Sequence, residues 1–296
     1  MSENRIIKVM GIININDDSF YSGSRHSASE DFLETFLRMV DQGADIIDIG
    51  ACSTRPGSTP ISEKEEWKRL SKHLESIAGF LKNQRLASGS KSTGNSQNIK
   101  ISIDTFQSGI VRKAFKVIGP FIVNDISAGE DDPQMLSTVG ELGLSYIAMH
   151  KRGTPDTMQN LTDYPDGVVA EVRRYFEEFA KKAAKYGIKD WILDPGFGFA
   201  KTVEQNYELL EHLDMLTHIA AADEGVPVLV GLSRKSMIYK PLGITPQESL
   251  PATCVLNFRA LQKGASILRV HDVKEAVQTV RLFERLQKTD VRHIAE

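Results

Sequence analysis

A chain of 296 residues, 41% hydrophobic and 25% charged, has the composition of a globular protein with a large core. Its net charge of −3 offers no basic excess for nucleic acid or an anionic membrane surface. The apolar opening is broken by Asn14 too soon for a signal peptide, and no apolar run approaches the roughly 18 residues of a membrane span.

Eight short runs, rich in β-branched residues, are expected as strands. They cover 6–14, 44–50, 99–105, 121–126, 145–150, 191–195, 227–233 and 265–271. Their near-continuous apolarity suits strands covered on both faces, as in a parallel sheet. Helix starts lie between them. Ser27 with Glu30 opens the first helix and Ser62 with Glu65 the second, each a hydroxyl followed by an acid three positions on. The polar, Gly/Ser-rich stretch 84–98 is expected as a flexible surface insertion. Further on, Thr202 with Gln205 repeats the capping pattern, and Thr245-Pro246-Gln247-Glu248 adds a proline at a first helical position. Asp272 stands where it can cap the last helix, and Gly43, Gly143, Gly187 and Gly264 each precede a strand, as helix terminators do.

Eight strand–helix units predict an α/β protein, a single (β/α)8 TIM-barrel domain over 1–296 with its active site at the C-terminal ends of the strands. An open doubly wound sheet is the rival, but it would carry a Gly-rich turn after the first strand. GxGxxG and the Walker loop are both absent. Cys52 and Cys254 have no metal-type spacing and read as free thiols in a cytoplasmic protein.

The strand ends carry the chemistry. In order they give Asn14, Asp48, Asp104, Asn124, His150, Asp194, Ser233-Arg234-Lys235, then Arg269 and His271. One aspartate there can be a helix cap; so many polar endings on one rim need another reason, because buried polar groups cost free energy unless paired. Carboxylate and amide acceptors beside cations suit a flat heterocycle with an amino-amide edge, on which a guanidinium can stack. Arg55, Arg269 and His271 form a cationic set suited to a phosphate or diphosphate. No Ser/His/Asp or Cys/His arrangement and no His/Cys metal cluster can be placed, so no protein nucleophile is expected. His150 can as well hydrogen-bond within the barrel mouth as touch a ligand; Asp48 can orient an arginine, and Arg234 can point outward into an ion pair.

MGIININDDSF (10–20), GACSTRPG (50–57), SIDT (102–105), NDIS (124–127), MH (149–150), DPGFGFAK (194–201), GLSRKS (231–236) and RVHDV (269–273) follow one another along the chain. Together they resemble the motifs of dihydropteroate synthases. The resemblance implies condensation of 6-hydroxymethyl-7,8-dihydropterin diphosphate with p-aminobenzoate in folate synthesis. It implies a pterin pocket of Asp104, Asn124, Asp194 and Lys235 with Arg269 stacked on the ring, and a diphosphate site of Asn14, Arg55, Arg269 and His271. Asn14 would also reach Mg²⁺. Thr54, Arg55 and Pro56, with Phe199, Lys235 and Ser236, would shape the p-aminobenzoate site. The likeness also implies a homodimer. The chain departs from the family at Asn16-Asp17, where Thr-Pro is usual, at Ser22, where an aspartate is usual, and at Cys52, where a glutamate is usual. These changes lead to an expectation of slowed chemistry with pterin affinity intact. Two alternatives are a pterin-binding methyltransferase module and a catalytically diminished pterin-binding paralogue.

Overall fold

Each of the eight apolar runs contains a strand in the computed structural model, which describes residues 5–15, 28–52, 61–88, 99–153, 157–219 and 225–290. The strands are β1 (Lys8–Asn14), β2 (Ile46–Gly50), β3 (Lys100–Asp104), β4 (Ile122–Asp125), β5 (Ser145–Met149), β6 (Trp191–Asp194), β7 (Leu229–Val230) and β8 (Ile267–Val270). They pair in parallel in the order β6-β5-β4-β3-β2-β1-β8-β7. A single bridge between Leu193 and Val228 brings the two outer strands together, with Leu193 N–H donating to Pro227 O at 3.0 Å. The fold is a (β/α)8 barrel. Its helices are α1 (Ala28–Asp41), α2 (Glu63–Ser88), α3 (Ser108–Ile118), α4 (Met135–Leu142), α5 (Val168–Lys185), α6 (Val203–Glu211), α7 (Ser236–Leu242), α8 (Leu250–Gln262) and α9 (Val273–Asp290).

Strand side chains alternate between faces, and the two faces build two separate cores. Outward residues such as Ile47, Ile49, Ile103, Val123, Tyr146 and Leu193 pack under the helices. Inward residues Met10, Ile46, Ile122, Ile147, Ile192, Leu229 and Ile267 form one closed apolar layer inside the barrel. Full burial of side chains this size contributes about 1.5–3 kcal/mol each, which explains why the strands read as unbroken apolar runs.

Local signals hold in most places. Thr202 and Gln205 form the reciprocal capping box at the start of α6. Ser62 Oγ accepts from Glu65 N–H at 3.3 Å before α2. Gly143 closes α4 in the left-handed region at φ 61°, its N–H reaching the Gly140 and Val139 carbonyls. Ser27 lies outside the described residues.

Four expectations need correction. Thr245 and Glu248 do pair reciprocally, but the segment forms a turn and α8 begins only at Leu250. The Asp272 carboxylate is held by Arg234 at 2.6 and 3.1 Å; its backbone carbonyl, not its side chain, accepts from Ala276 N–H. α2 runs through 84–88, where Gln84, Arg85, Leu86 and Ala87 are good helix formers, so the expected insertion shrinks to 89–98, outside the described residues. β7 is only two residues long, because Leu232 is buried by packing without joining the ladder.

Candidate functional site

Two residues beyond the apolar layer, the same inward face turns polar. Ile46 gives way to Asp48, Ile122 to Asn124, Ile192 to Asp194 and Ile267 to Arg269, and β3 adds Asp104. The period-2 geometry of the strands places all five in the barrel mouth.

Arg269 is the hub. Its Nε and Nη2 donate to Asp48 Oδ2 at 2.7 and 2.6 Å, and Nη2 also reaches Asp104 Oδ2 at 2.8 Å. Asn124 Nδ2 donates to the same Asp48 oxygen at 3.0 Å, while Asp48 Oδ1 is buried without a hydrogen-bond partner among the described residues. Burial pushes Asp104 up to about 7, against the pull of Arg269. Burial opposes the charge on Arg269, but Asp48 and Asp104 outweigh it and hold the guanidinium above its ordinary range. Asp194 is likewise raised by burial, opposed by Lys235, and its Oδ1 accepts from Gly196 N–H at 2.8 Å.

The loops after the strands add the rest. Burial draws Lys235 down to about 8, opposed by Asp194. Its ammonium donates to Phe197 O at 2.5 Å and lies 5.2 Å from the Phe199 ring centroid, a cation–π contact. Ser233 Oγ is 3.0 Å from His271 Nδ1. Among the described residues, the non-glycine positive-φ positions are Ala128, Ala200 and Arg234, at 49°, 51° and 57°. They follow β4, β6 and β7, so the strain collects on this rim, where each such residue costs on the order of 1–3 kcal/mol.

The family described as "Pterin binding enzyme" matches residues 10–271. A curated dihydropteroate synthase of Escherichia coli is 40% identical over 278 residues, covering 93% of this chain and 90% of the relative. The solved Xanthomonas albilineans dihydropteroate synthase with 4-aminobenzoic acid superposes with a TM-score of 0.79 at 34% identity, covering 95% and 93% of the two chains. The Burkholderia cenocepacia dihydropteroate synthase complexed with 7,8-dihydropteroate superposes with a TM-score of 0.80 at 30% identity, covering 99% and 95%. The chain belongs to the dihydropteroate synthases.

Against this family background, the structure gathers Asp104, Asn124, Asp194, Lys235 and Arg269 at one end of the barrel. Phe199 lies beside Lys235, and Ser236 opens α7 directly after it. Asn14 ends β1 with its side chain exposed. Thr54, Arg55 and Pro56 lie outside the described residues, as do Asn16, Asp17 and Ser22. Arg269, read from the sequence as part of a cationic set, meets two carboxylates within the protein. Asp48 does orient that arginine, and Arg234 does make an ion pair, with Asp272. His150 takes the structural alternative: it is buried, and its Nδ1 meets Lys201 Nζ at 3.0 Å. Burial keeps its imidazole well below its ordinary value, which favours the neutral ring, and the tautomer that suits the Lys201 ammonium is the one that accepts at Nδ1. Lys201 itself was missed, because a lysine beside a capping threonine reads as surface; the available signal was its place in DPGFGFAK at the end of a strand. Burial pushes the Cys52 thiol up, away from the thiolate a nucleophile needs.

Among the described residues no group of three or more His, Cys, Asp or Glu side chains could hold a metal ion. Asn14 offers one exposed hard oxygen. That donor fits an Mg²⁺ that arrives on a diphosphate and keeps its waters, since Mg²⁺ is commonly held through one or two protein oxygens plus phosphate. Among the described residues no helix is long and apolar enough to cross a membrane.

Proposed function

We propose that the chain joins 6-hydroxymethyl-7,8-dihydropterin diphosphate to p-aminobenzoate, giving 7,8-dihydropteroate and diphosphate. The observation that carries this reading is the convergence of Asp104, Asn124, Asp194, Lys235 and Arg269 on one buried rim. The carboxylates accept from the amino and amide N–H groups of the ring, Asn124 both donates and accepts, and Arg269 covers the ring face. Asn14, Arg55 and His271 take the diphosphate with Arg269, and Mg²⁺, held by Asn14, would neutralise part of that anion's charge. Phe199 supplies an apolar wall for the benzoate ring, and Lys235 and Ser236, with Thr54, Arg55 and Pro56, close the second site.

In the reaction the methylene C–O bond to diphosphate breaks as the amine N–C bond forms, and the amine loses a proton. The electron-rich dihydropterin spreads the positive charge that develops, and the buried acids stabilise it. Holding the amine in line supplies the remaining advantage. The partner surface proposed is a second copy of the chain: Val255 on α8 and Leu282 and Leu286 on α9 are large apolar side chains 66%, 64% and 54% exposed on adjoining helices. Cys52 and Cys254, neither of them in a disulfide, suit a reducing cytoplasm.

Diphosphate release dependent on p-aminobenzoate tests the reaction directly. Pterin binding without release would leave a non-condensing binder, and methyl transfer from methyltetrahydrofolate would indicate the methyltransferase reading.

A further inference from the structure

The loop between β6 and α6 is wound rather than extended. Gly196, Gly198 and Ala200 have φ of 68°, 80° and 51°, and a Cβ at Gly196 would stand 2.0 Å from His150 O. A chain turned this way offers no ladder for its carbonyls, and buried carbonyls need donors. Side chains provide them. Lys235 donates to Phe197 O at 2.5 Å, Tyr164 Oη to Ala200 O at 3.0 Å, and Asn206 Nδ2 to Lys201 O at 3.3 Å. Lys201 serves two at once, reaching Gly196 O and Phe199 O at 3.0 Å each. Its third contact is His150 Nδ1, also at 3.0 Å. An ammonium has three N–H donors, and these are three acceptors; a neutral amine would leave one of them without a proton. Lys201 is 5% exposed, so water does not supply a substitute.

We infer that Lys201 is a positioning residue for the amine-acceptor half of the site: it clasps the β6–α6 loop and so fixes where Phe199 stands against Lys235. Asp194 feels the Lys201 charge but takes its position from other contacts. It is held in the sheet, opposite Met149, and by the Gly196 amide. Losing the ammonium would take the side-chain donor from Phe199 O and the His150 imidazole, leave Gly196 O with the Phe199 N–H at 3.1 Å, and let residues 197–199 drift while the pterin acids keep their places. The Lys201 ammonium lies among cations as well as acids: burial draws it down to about 7, with Asp194 supporting its charge and Lys235 and Arg152 opposing it.

The inference rests on the synthase reading, and its test separates the two. Wild-type enzyme must release diphosphate on addition of p-aminobenzoate; if it does not, the reading fails before any variant is made. In Lys201→Met, which keeps the stem and removes the donors, the KM for p-aminobenzoate should rise about tenfold with a lower kcat. The affinity for 6-hydroxymethylpterin by calorimetry should stay within about threefold. In Lys201→Ala, ethylammonium added to the solution should restore part of the lost kcat/KM for p-aminobenzoate and leave pterin affinity unmoved. Unchanged steady-state constants in a folded methionine variant, or equal losses for both ligands with no rescue by ethylammonium, would overturn the assignment.

Discussion

Inside the barrel, two rings of side chains are stacked two residues apart on the same strands, and they follow opposite rules. The deeper ring of Met10, Ile46, Ile122, Ile147, Ile192, Leu229 and Ile267 is apolar throughout. The upper one holds Asp48, Asp104, Asn124, Asp194 and Arg269, all but the arginine under 9% exposed. The lower ring gains from every group it buries. The upper ring gives up solvation of several charges, recovers only part of it through mutual pairing, and leaves Asp48 Oδ1 without a hydrogen-bond partner among the described residues. Stability is thus concentrated below and chemistry above, within one residue pair of each other.

The sharpest way to break that division is to damage one ring and read both properties. Ile192→Ala should cost about 2–5 kcal/mol of unfolding free energy, as cavities in packed interiors do. Chemical denaturation measures the loss, and pterin affinity in the folded variant should stay within about threefold. Asp194→Ala, one position further up the same face, should do the reverse. Loss of a charge-assisted pair and exposure of unpaired donors is worth about 1.5–3 kcal/mol. Pterin affinity by calorimetry should fall by roughly tenfold or more; a change below about threefold would remove Asp194 from the pocket.

A third substitution asks whether the outermost cations serve the leaving group. His271→Ala should weaken binding of the diphosphate-bearing pterin about tenfold and that of the free pterin alcohol hardly at all; equal weakening of both would detach His271 from the diphosphate. A further effect is expected on stability against pH. Burial raises Asp104 to about 7 in the folded protein. A carboxyl raised on folding contributes stability fully present below its unfolded value near 4 and lost as pH rises through about 7. Asp104→Asn removes that loss, so the variant should melt a few degrees above wild type at pH 8, with the gap closing toward pH 4. A constant gap across this range would assign the effect to packing rather than to charge.

The strands were legible because β-branched runs such as ADIIDIG and WILDP are buried on both faces and must look continuous. The polar endings were legible because an aspartate at the end of such a run has no cheap structural explanation. What the sequence hid was pairing. Nothing in RVH tells whether Arg269 faces an anion or an acid, and its contacts with Asp48 and Asp104 span 221 and 165 positions. Lys201 was hidden for a related reason: its three acceptors are two backbone carbonyls and a histidine just past β5, and carbonyls leave no trace in residue type. The Thr245–Glu248 box shows the converse, a local signal that forms as written yet is not followed directly by its helix.

The single bridge between Leu193 and Val228 gives the barrel a mechanical weak side. The other seven neighbouring strand pairs are laced by ladders, whereas β6 and β7 meet at one point. The cylinder is in effect a split ring, with Asp194 on one lip and Lys235 beyond the other. The Lys235 ammonium on Phe197 O is a stitch across that slit. Local opening takes the path with the fewest bonds to break. The amides flanking the slit should therefore exchange with deuterium sooner than those of β2 and β3, and a ligand gripping both lips would slow that clock more than any other in the molecule.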